Sequence, residues 1–147
     1  MCYNVRGGNM DTINTEYLHK CLQTLVKSYE MIKSVQEGSV EYEMYRNSLV
    51  KGFETTIEQS GKLLRKKLLP YFSSKKSIDT LSFKDLFRNA HKYSLMDEAT
   101  VLRWFKYRDN RNSTAHDYGR AFAVETLKLI DDFIKDVTDL ENIIKNG

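Results

Sequence analysis

Proline occurs once, at Pro70, and glycine only seven times in 147 residues. All-β folds need such breakers roughly every 8–12 residues, so their scarcity leans the chain toward an all-α fold. Cysteine is as sparse. Cys2 and Cys21 have no CxxC spacing, and Cys21 falls on an apolar stripe, a pattern that points to reduced thiols and away from a disulfide framework. No run of about 18 apolar residues offers a membrane span, and Met1 to Met10 lack the apolar core of a secretion signal. The expected location is therefore cytoplasmic, with no membrane partner. Neither sign of charge dominates. The formal net charge is +3, too small to establish nucleic-acid binding, although a local basic surface remains open to phosphate.

What is present suits a globular protein. Apolar residues make up 41% and charged residues 29%, and a chain of this length buries one core without metal or disulfide staples. Residues 1–13 show no periodicity and read as a flexible tail, within which Met10 is an alternative start to Met1. Residues 14–147 read as a single helical domain. The positions Tyr17, Leu18, Cys21, Leu22, Leu25, Tyr29 and Ile32 form a three- and four-residue stripe, predicting a helix from about Asn14 to Val35. Gly38 is a candidate stop and Ser39 a cap for a second helix, Val40 to Leu69, about 45 Å long at 1.5 Å per residue. Gly52 and Gly61 inside it mark close packing, a bend, or simple tolerance.

Pro70 to Leu81 reads as a polar loop. Ser82 is placed to cap a short helix to about Lys92, with Phe83, Leu86, Phe87 and Ala90 inward. Asp97 is placed to cap the next helix, whose broad apolar face comprises Val101, Leu102, Trp104 and Phe105. A last helix runs from after Gly119 to about Asn146 on Leu127, Ile130, Phe133, Ile134, Val137, Leu140 and Ile144. The expected assembly is an up-and-down helical bundle of four main helices and a short accessory helix.

Between the last two helices lies Arg111-Asn112-Ser113-Thr114-Ala115-His116-Asp117-Tyr118. Arg pairs permanently with phosphate oxygens, and His exchanges protons near neutral pH, so an RNA-cleaving site is the chemistry these types suggest. On one regular helix Arg111 and His116 would lie about 140° apart. Either the backbone breaks at Asn112 to Thr114, or the two side chains face a groove formed with another subunit. Arg108 lies one turn before Arg111 and is a candidate RNA contact, as is Arg120. The run Arg65-Lys66-Lys67 with Lys62, and the pair Lys75-Lys76, are candidate RNA guides or solvated faces. Trp104, Phe105 and Tyr107 suit a core or dimer interface better than base stacking. His19 and His91 have no metal-ligand spacing with either cysteine, so no metal or cofactor is expected.

The R-x4-H-x-Y pattern of Arg111, His116 and Tyr118, with Asn112 completing an R-N start and Phe53-Glu54 on the long second helix, resembles the HEPN superfamily. The likeness is to the small HEPN toxins paired with minimal nucleotidyltransferase antitoxins, also described as nucleotidyltransferase substrate-binding proteins, and it covers roughly residues 14 to 146. It implies a metal-independent endoribonuclease formed by a homodimer with a composite cleft. Within that cleft Arg111 and His116 would be catalytic and Asn112 supporting. It further implies that a cognate nucleotidyltransferase attaches AMP to Tyr118 and so excludes RNA by bulk and charge. A noncatalytic nucleotidyltransferase substrate-binding subunit is the alternative. The chain departs from many relatives in carrying Gly119-Arg120 after the tyrosine, where acidic residues are often found.

Overall fold

A computed structural model describes residues 12–113 and 120–146, and all regular structure among them is helical. The helices are α1 (Glu16–Lys33), α2 (Val40–Leu68), α3 (Lys75–Asp79), α4 (Phe83–Lys92), α5 (Glu98–Ser113) and α6 (Arg120–Lys145), with a 3-10 turn at Leu69–Tyr71. Residues 1–11 of the expected tail lie outside the described residues, and Ile13 already packs against the core.

The helix boundaries follow from local chemistry. Gly38 adopts φ +92, a conformation that L side chains rarely take, and turns the chain from α1 into α2. Ser39 then accepts a hydrogen bond from the Tyr42 amide at 3.0 Å. Ser82 does the same for Asp85, and Asp97 for Thr100, which satisfies amides that helix starts leave unpaired. After α4, Ser94 takes φ 63. That left-handed residue lets the Leu95 amide donate back to the Ala90 carbonyl at 2.8 Å, the helix-ending geometry usually given to glycine.

The stretch 70–81 is not the plain loop expected. Ser74 and Ser77 form a capping box that starts α3, and Ile78 is buried. Arg65 donates to the carbonyls of Ile78, at 2.5 Å, and Leu81, at 3.3 Å. A single turn is too short to display a period, so the sequence held no readable sign of it.

Four long helices build the bundle. Ser28 pairs with Ser48, and Leu25 packs beside Gly52, so contacts run in opposite directions along α1 and α2. Contacts between α5 and α6 also run oppositely: Arg103 meets Asp136 and Asn110 meets Thr126. An aromatic cluster fills the centre. Trp104 stacks on Phe87 at 4.7 Å and meets Tyr107 and Phe133 edge-on, while Phe53 packs on Phe133 at 4.7 Å. Rings from α2, α4, α5 and α6 thereby interlock in one core. The expected apolar face of α5 is corrected at Leu102, which is 53% exposed, and its place inward is taken by Tyr107. On a 3.6-residue period Val101, Trp104 and Tyr107 share a side that Leu102 does not.

The two glycines of α2 differ. A Cβ at Gly52 would make ordinary contact with Leu25, which amounts to tolerance, whereas at Gly61 it would come within 3.0 Å of the Phe83 ring. Gly61 therefore marks close packing.

One buried polar network joins α5 to α6. Asp136 is 1% exposed, and it accepts from Arg103 Nε at 2.8 Å, from a terminal Arg103 nitrogen at 2.9 Å and from the Tyr107 hydroxyl at 2.5 Å. Burial, reinforced by the bond to Asp136, pushes the Tyr107 phenol far above its ordinary range. A raised folded-state pKa means that Tyr107 contributes its full stability below the unfolded value of about 10 and loses it as pH rises beyond. Tyr107→Phe should therefore cost about 1 kcal/mol at pH 7, the worth of one hydrogen bond. The gap from wild type should narrow above about pH 10, in urea unfolding measured across the pH range. Asp136→Ala leaves a buried hydroxyl and a half-buried guanidinium unmatched, and should cost about 2–4 kcal/mol in the same assay.

Candidate functional site

The last turns of α5 present two guanidiniums to α2 and α4. Arg108 and Arg111, three residues apart, share a face of the helix. The Arg108 guanidinium lies over the Phe83 ring at 4.8 Å from its centroid, a contact worth about 0.5–2 kcal/mol. Phe83 comes this close to α2 because Gly61 carries no side chain beneath it. Arg111 donates to Glu58 of α2 at 3.3 Å. Burial, and then the neighbouring Arg111, lower the Arg108 pKa, while Glu58 opposes that effect. The lowering leaves Arg108 a cation at any physiological pH, since a guanidinium does not give up its proton in proteins. Three helices thus hold a pair of cations at a partly open surface.

Around this pair the helices are pinned. The Asn110 amide donates to the hydroxyl of Thr126 on α6 at 3.0 Å. Lys84 of α4 pairs with Asp109 at 2.8 Å. Arg111 therefore follows directly on two residues tied to α4 and α6.

Of the residues singled out from the sequence, Arg108 and Arg111 are brought together. Asn112 lies in the last turn of α5 and Arg120 opens α6. Their side chains lie outside the described part of the chain, as do His116 and Tyr118 altogether. Trp104 and Tyr107 belong to the core, and Phe105 is half-buried beneath the cations of Lys84 and Arg88. The basic run is partly structural: Arg65 holds the α3 region, and Lys67 donates to the Ile144 carbonyl at 3.5 Å. His19 pairs with Glu141 at 3.2 Å, and the His91 ring meets the Met96 carbonyl. Cys21 is a buried free thiol whose pKa burial raises, so it is a poor nucleophile. Among the described residues no group of three or more His, Cys, Asp or Glu is arranged to hold a metal ion.

Sequence reading missed Glu58, Asn110, Thr126 and Asp136. Two of them left a signal. Thr126 and Asp136 fall on the inward stripe of α6, at three- and four-residue steps from Ile130, Phe133 and Leu140, where a polar group demands a partner. Glu58 and Asn110 read as ordinary surface positions, and only the packing of α2 and α6 against α5 singles them out.

The chain has relatives among known proteins. The family described as "Nucleotidyltransferase substrate binding protein like" matches residues 14–146. "Probable ribonuclease HepT" of Haemophilus influenzae is 27% identical over 128 residues, covering 84% of this chain and 86% of that protein. Among solved structures, one from Haemophilus influenzae is described as revealing the fold of a substrate-binding domain of a nucleotidyltransferase. It matches with a TM-score of 0.75 at 23% identity, covering 89% of this chain and 98% of its own. A Thermus thermophilus protein matches with a TM-score of 0.66 at 21% identity, over 87% and 98% of the two chains. These two structures bear on the fold, which they share with this chain as an all-helical bundle.

The contact between Glu58 and Arg111 invites a direct test. Glu58→Gln removes the carboxylate and keeps the side chain's length. Because the pair is solvent-accessible, unfolding free energy should change by no more than about 0.5 kcal/mol. Titration with inorganic phosphate, followed by NMR, should saturate at a roughly two- to fivefold lower concentration once the competing carboxylate is gone. Unchanged phosphate binding with a large loss of stability would make Glu58 a structural strut.

Proposed function

Since this chain belongs to the nucleotidyltransferase substrate-binding-protein-like family, we propose that it is the toxin of a toxin-antitoxin pair, a metal-independent endoribonuclease acting in the cytoplasm as a homodimer. The observation that carries the reading is the Arg108–Arg111 pair. Two guanidiniums share one helix face, held by Phe83 and Glu58, eight and five positions before the histidine of the R-x4-H-x-Y pattern. That juxtaposition suits a scissile phosphate.

In the proposed reaction the RNA 2'-hydroxyl attacks the adjacent phosphorus. The new bond from the 2'-oxygen to phosphorus forms as the bond to the 5'-oxygen breaks, leaving a 2',3'-cyclic phosphate and a 5'-hydroxyl. His116 takes the proton from the 2'-hydroxyl, and a second copy of His116, across the dimer cleft, gives one to the departing 5'-oxygen. Arg111 neutralises charge developing on the phosphoryl oxygens, Arg108 and Arg120 hold neighbouring phosphates, and Asn112 orients the site. No step needs a metal or cofactor.

The partner proposed is a nucleotidyltransferase that transfers AMP to the Tyr118 hydroxyl. The added phosphate and nucleoside would set negative charge and bulk beside Arg111, the logic by which phosphorylation blocks an anion site. A noncatalytic subunit that presents substrate to that nucleotidyltransferase is the second reading, favoured by the family description.

The purified chain, incubated with total RNA in chelator, should cleave it, and His116→Ala and Arg111→Ala should each slow cleavage by roughly 100-fold or more. Cleavage that survives both substitutions, or none by the wild type at any concentration, removes the ribonuclease and leaves the noncatalytic subunit. Coexpression with a small nucleotidyltransferase should add one AMP to Tyr118, read by peptide mass spectrometry, and Tyr118→Phe should abolish the addition.

A further inference from the structure

Asn110 and Thr126 take no part in the proposed chemistry, yet they flank the motif that carries it in the chain. Thr126 is completely buried, on the stripe of α6 that otherwise carries Ile130, Phe133 and Val137. A valine would fill the same volume without carrying a hydroxyl out of water. The hydroxyl has a distinct use, as acceptor for the Asn110 amide 16 positions earlier in the chain.

Asn110 immediately precedes Arg111. Further down α5, Arg103 and Tyr107 grip Asp136. The two anchor points on α5, at 103 and 110, are seven residues apart, roughly two turns or 10 Å. Apolar side chains tolerate a small slide or roll of one helix on another, because burial is indifferent to direction. Hydrogen bonds are not indifferent: displacement leaves buried donors and acceptors unmatched. Two such anchors, spaced along the axis, fix both the axial position and the rotation of α5 on α6. The Asn110 anchor is the one beside Arg111, and Glu58 meets that arginine from the opposite side.

We propose that the hydrogen bond from Asn110 to Thr126 is a positioning latch, which sets the direction in which the end of α5 presents Arg111 to phosphate. The inference rests on the ribonuclease reading, and it makes Asn110 and Thr126 positioning residues, with no contact to RNA. Loss of the latch should therefore lower turnover without lowering substrate binding, since Arg108 and the remaining cations still hold the backbone.

The test compares the full-length wild type with Thr126→Val, Thr126→Ser and Asn110→Ala. Thr126→Val keeps the packing volume and removes the acceptor. It should reduce kcat for RNA cleavage roughly 10- to 100-fold, the effect of misplacing a reacting group by about 1 Å. KM should stay within about twofold, since Arg108 and the remaining cations still hold the RNA backbone in the ground state, and Tm should move by only a few degrees. Thr126→Ser should restore kcat, and Asn110→Ala should lower it at least as far as the valine variant does. Turnover lost only in proportion to folded protein, or not restored by serine, overturns the latch.

A second readout is independent of activity. The Arg111 Nε–H resonance in a proton–nitrogen NMR spectrum, assigned through Arg111→Lys, should shift or broaden in Thr126→Val while the signal of Arg65, which holds the α3 region, stays. If the wild type fails to cleave RNA, the ribonuclease reading falls and this signal alone decides the latch. A moved Arg111 resonance sustains it, and an unmoved one overturns it.

Discussion

The buried carboxylate of Asp136 is the constraint on which the packing of α5 and α6 depends. At 1% exposure on a largely apolar helix face, an ionised group is tolerated only when several donors replace its water. Arg103 and Tyr107 supply three such bonds, and both stand on α5. The carboxylate therefore dictates which face of α5 turns inward and how far α5 reaches along α6. That requirement brings Trp104 into the aromatic centre, leaves Leu102 in solvent, and carries Arg108 and Arg111 to the edge shared with α2 and α4.

The long α2 is the second support. Its inward residues Phe53, Ile57 and Leu64 contribute to the core, while Glu58, on its open side, meets Arg111. Gly61, one turn on, admits the Phe83 ring on which Arg108 lies. A helix whose pattern suggests only burial thus shapes the surroundings of both arginines. The cost of holding two cations together is spread over a ring face, a carboxylate and partial solvent exposure. That distribution offsets part of the desolvation of a half-buried guanidinium.

Legibility differed between fold and site for a physical reason. Helix stripes, caps and stops act between residues a few positions apart, so Gly38, Ser39, Ser82 and Asp97 announced their helix boundaries in the sequence. The bundle followed from the amphipathic stripes, since apolar faces of that length find burial against one another. The end of α4 was silent because Ser94 takes a left-handed conformation usually marked by glycine, and α3 was silent because one turn has no period. The site was half legible. The R-x4-H-x-Y pattern and its side-chain chemistry stand in the sequence, but Glu58, 53 positions from Arg111, carried no mark there.

By itself, the sequence determined an all-α chain, the positions of its long helices, the residues of the motif and the family they resemble. These depend on composition, short-range periodicity and residue type, all of which are local. The tertiary structure alone decided that Asp136 is shared by Arg103 and Tyr107, that Thr126 is held by Asn110, and that Arg108 and Arg111 meet Phe83 and Glu58. Such pairings depend on the axial register and rotation of helices distant in the chain. Register is chosen by the few buried polar groups that find partners in only one arrangement, whereas apolar stripes accept several.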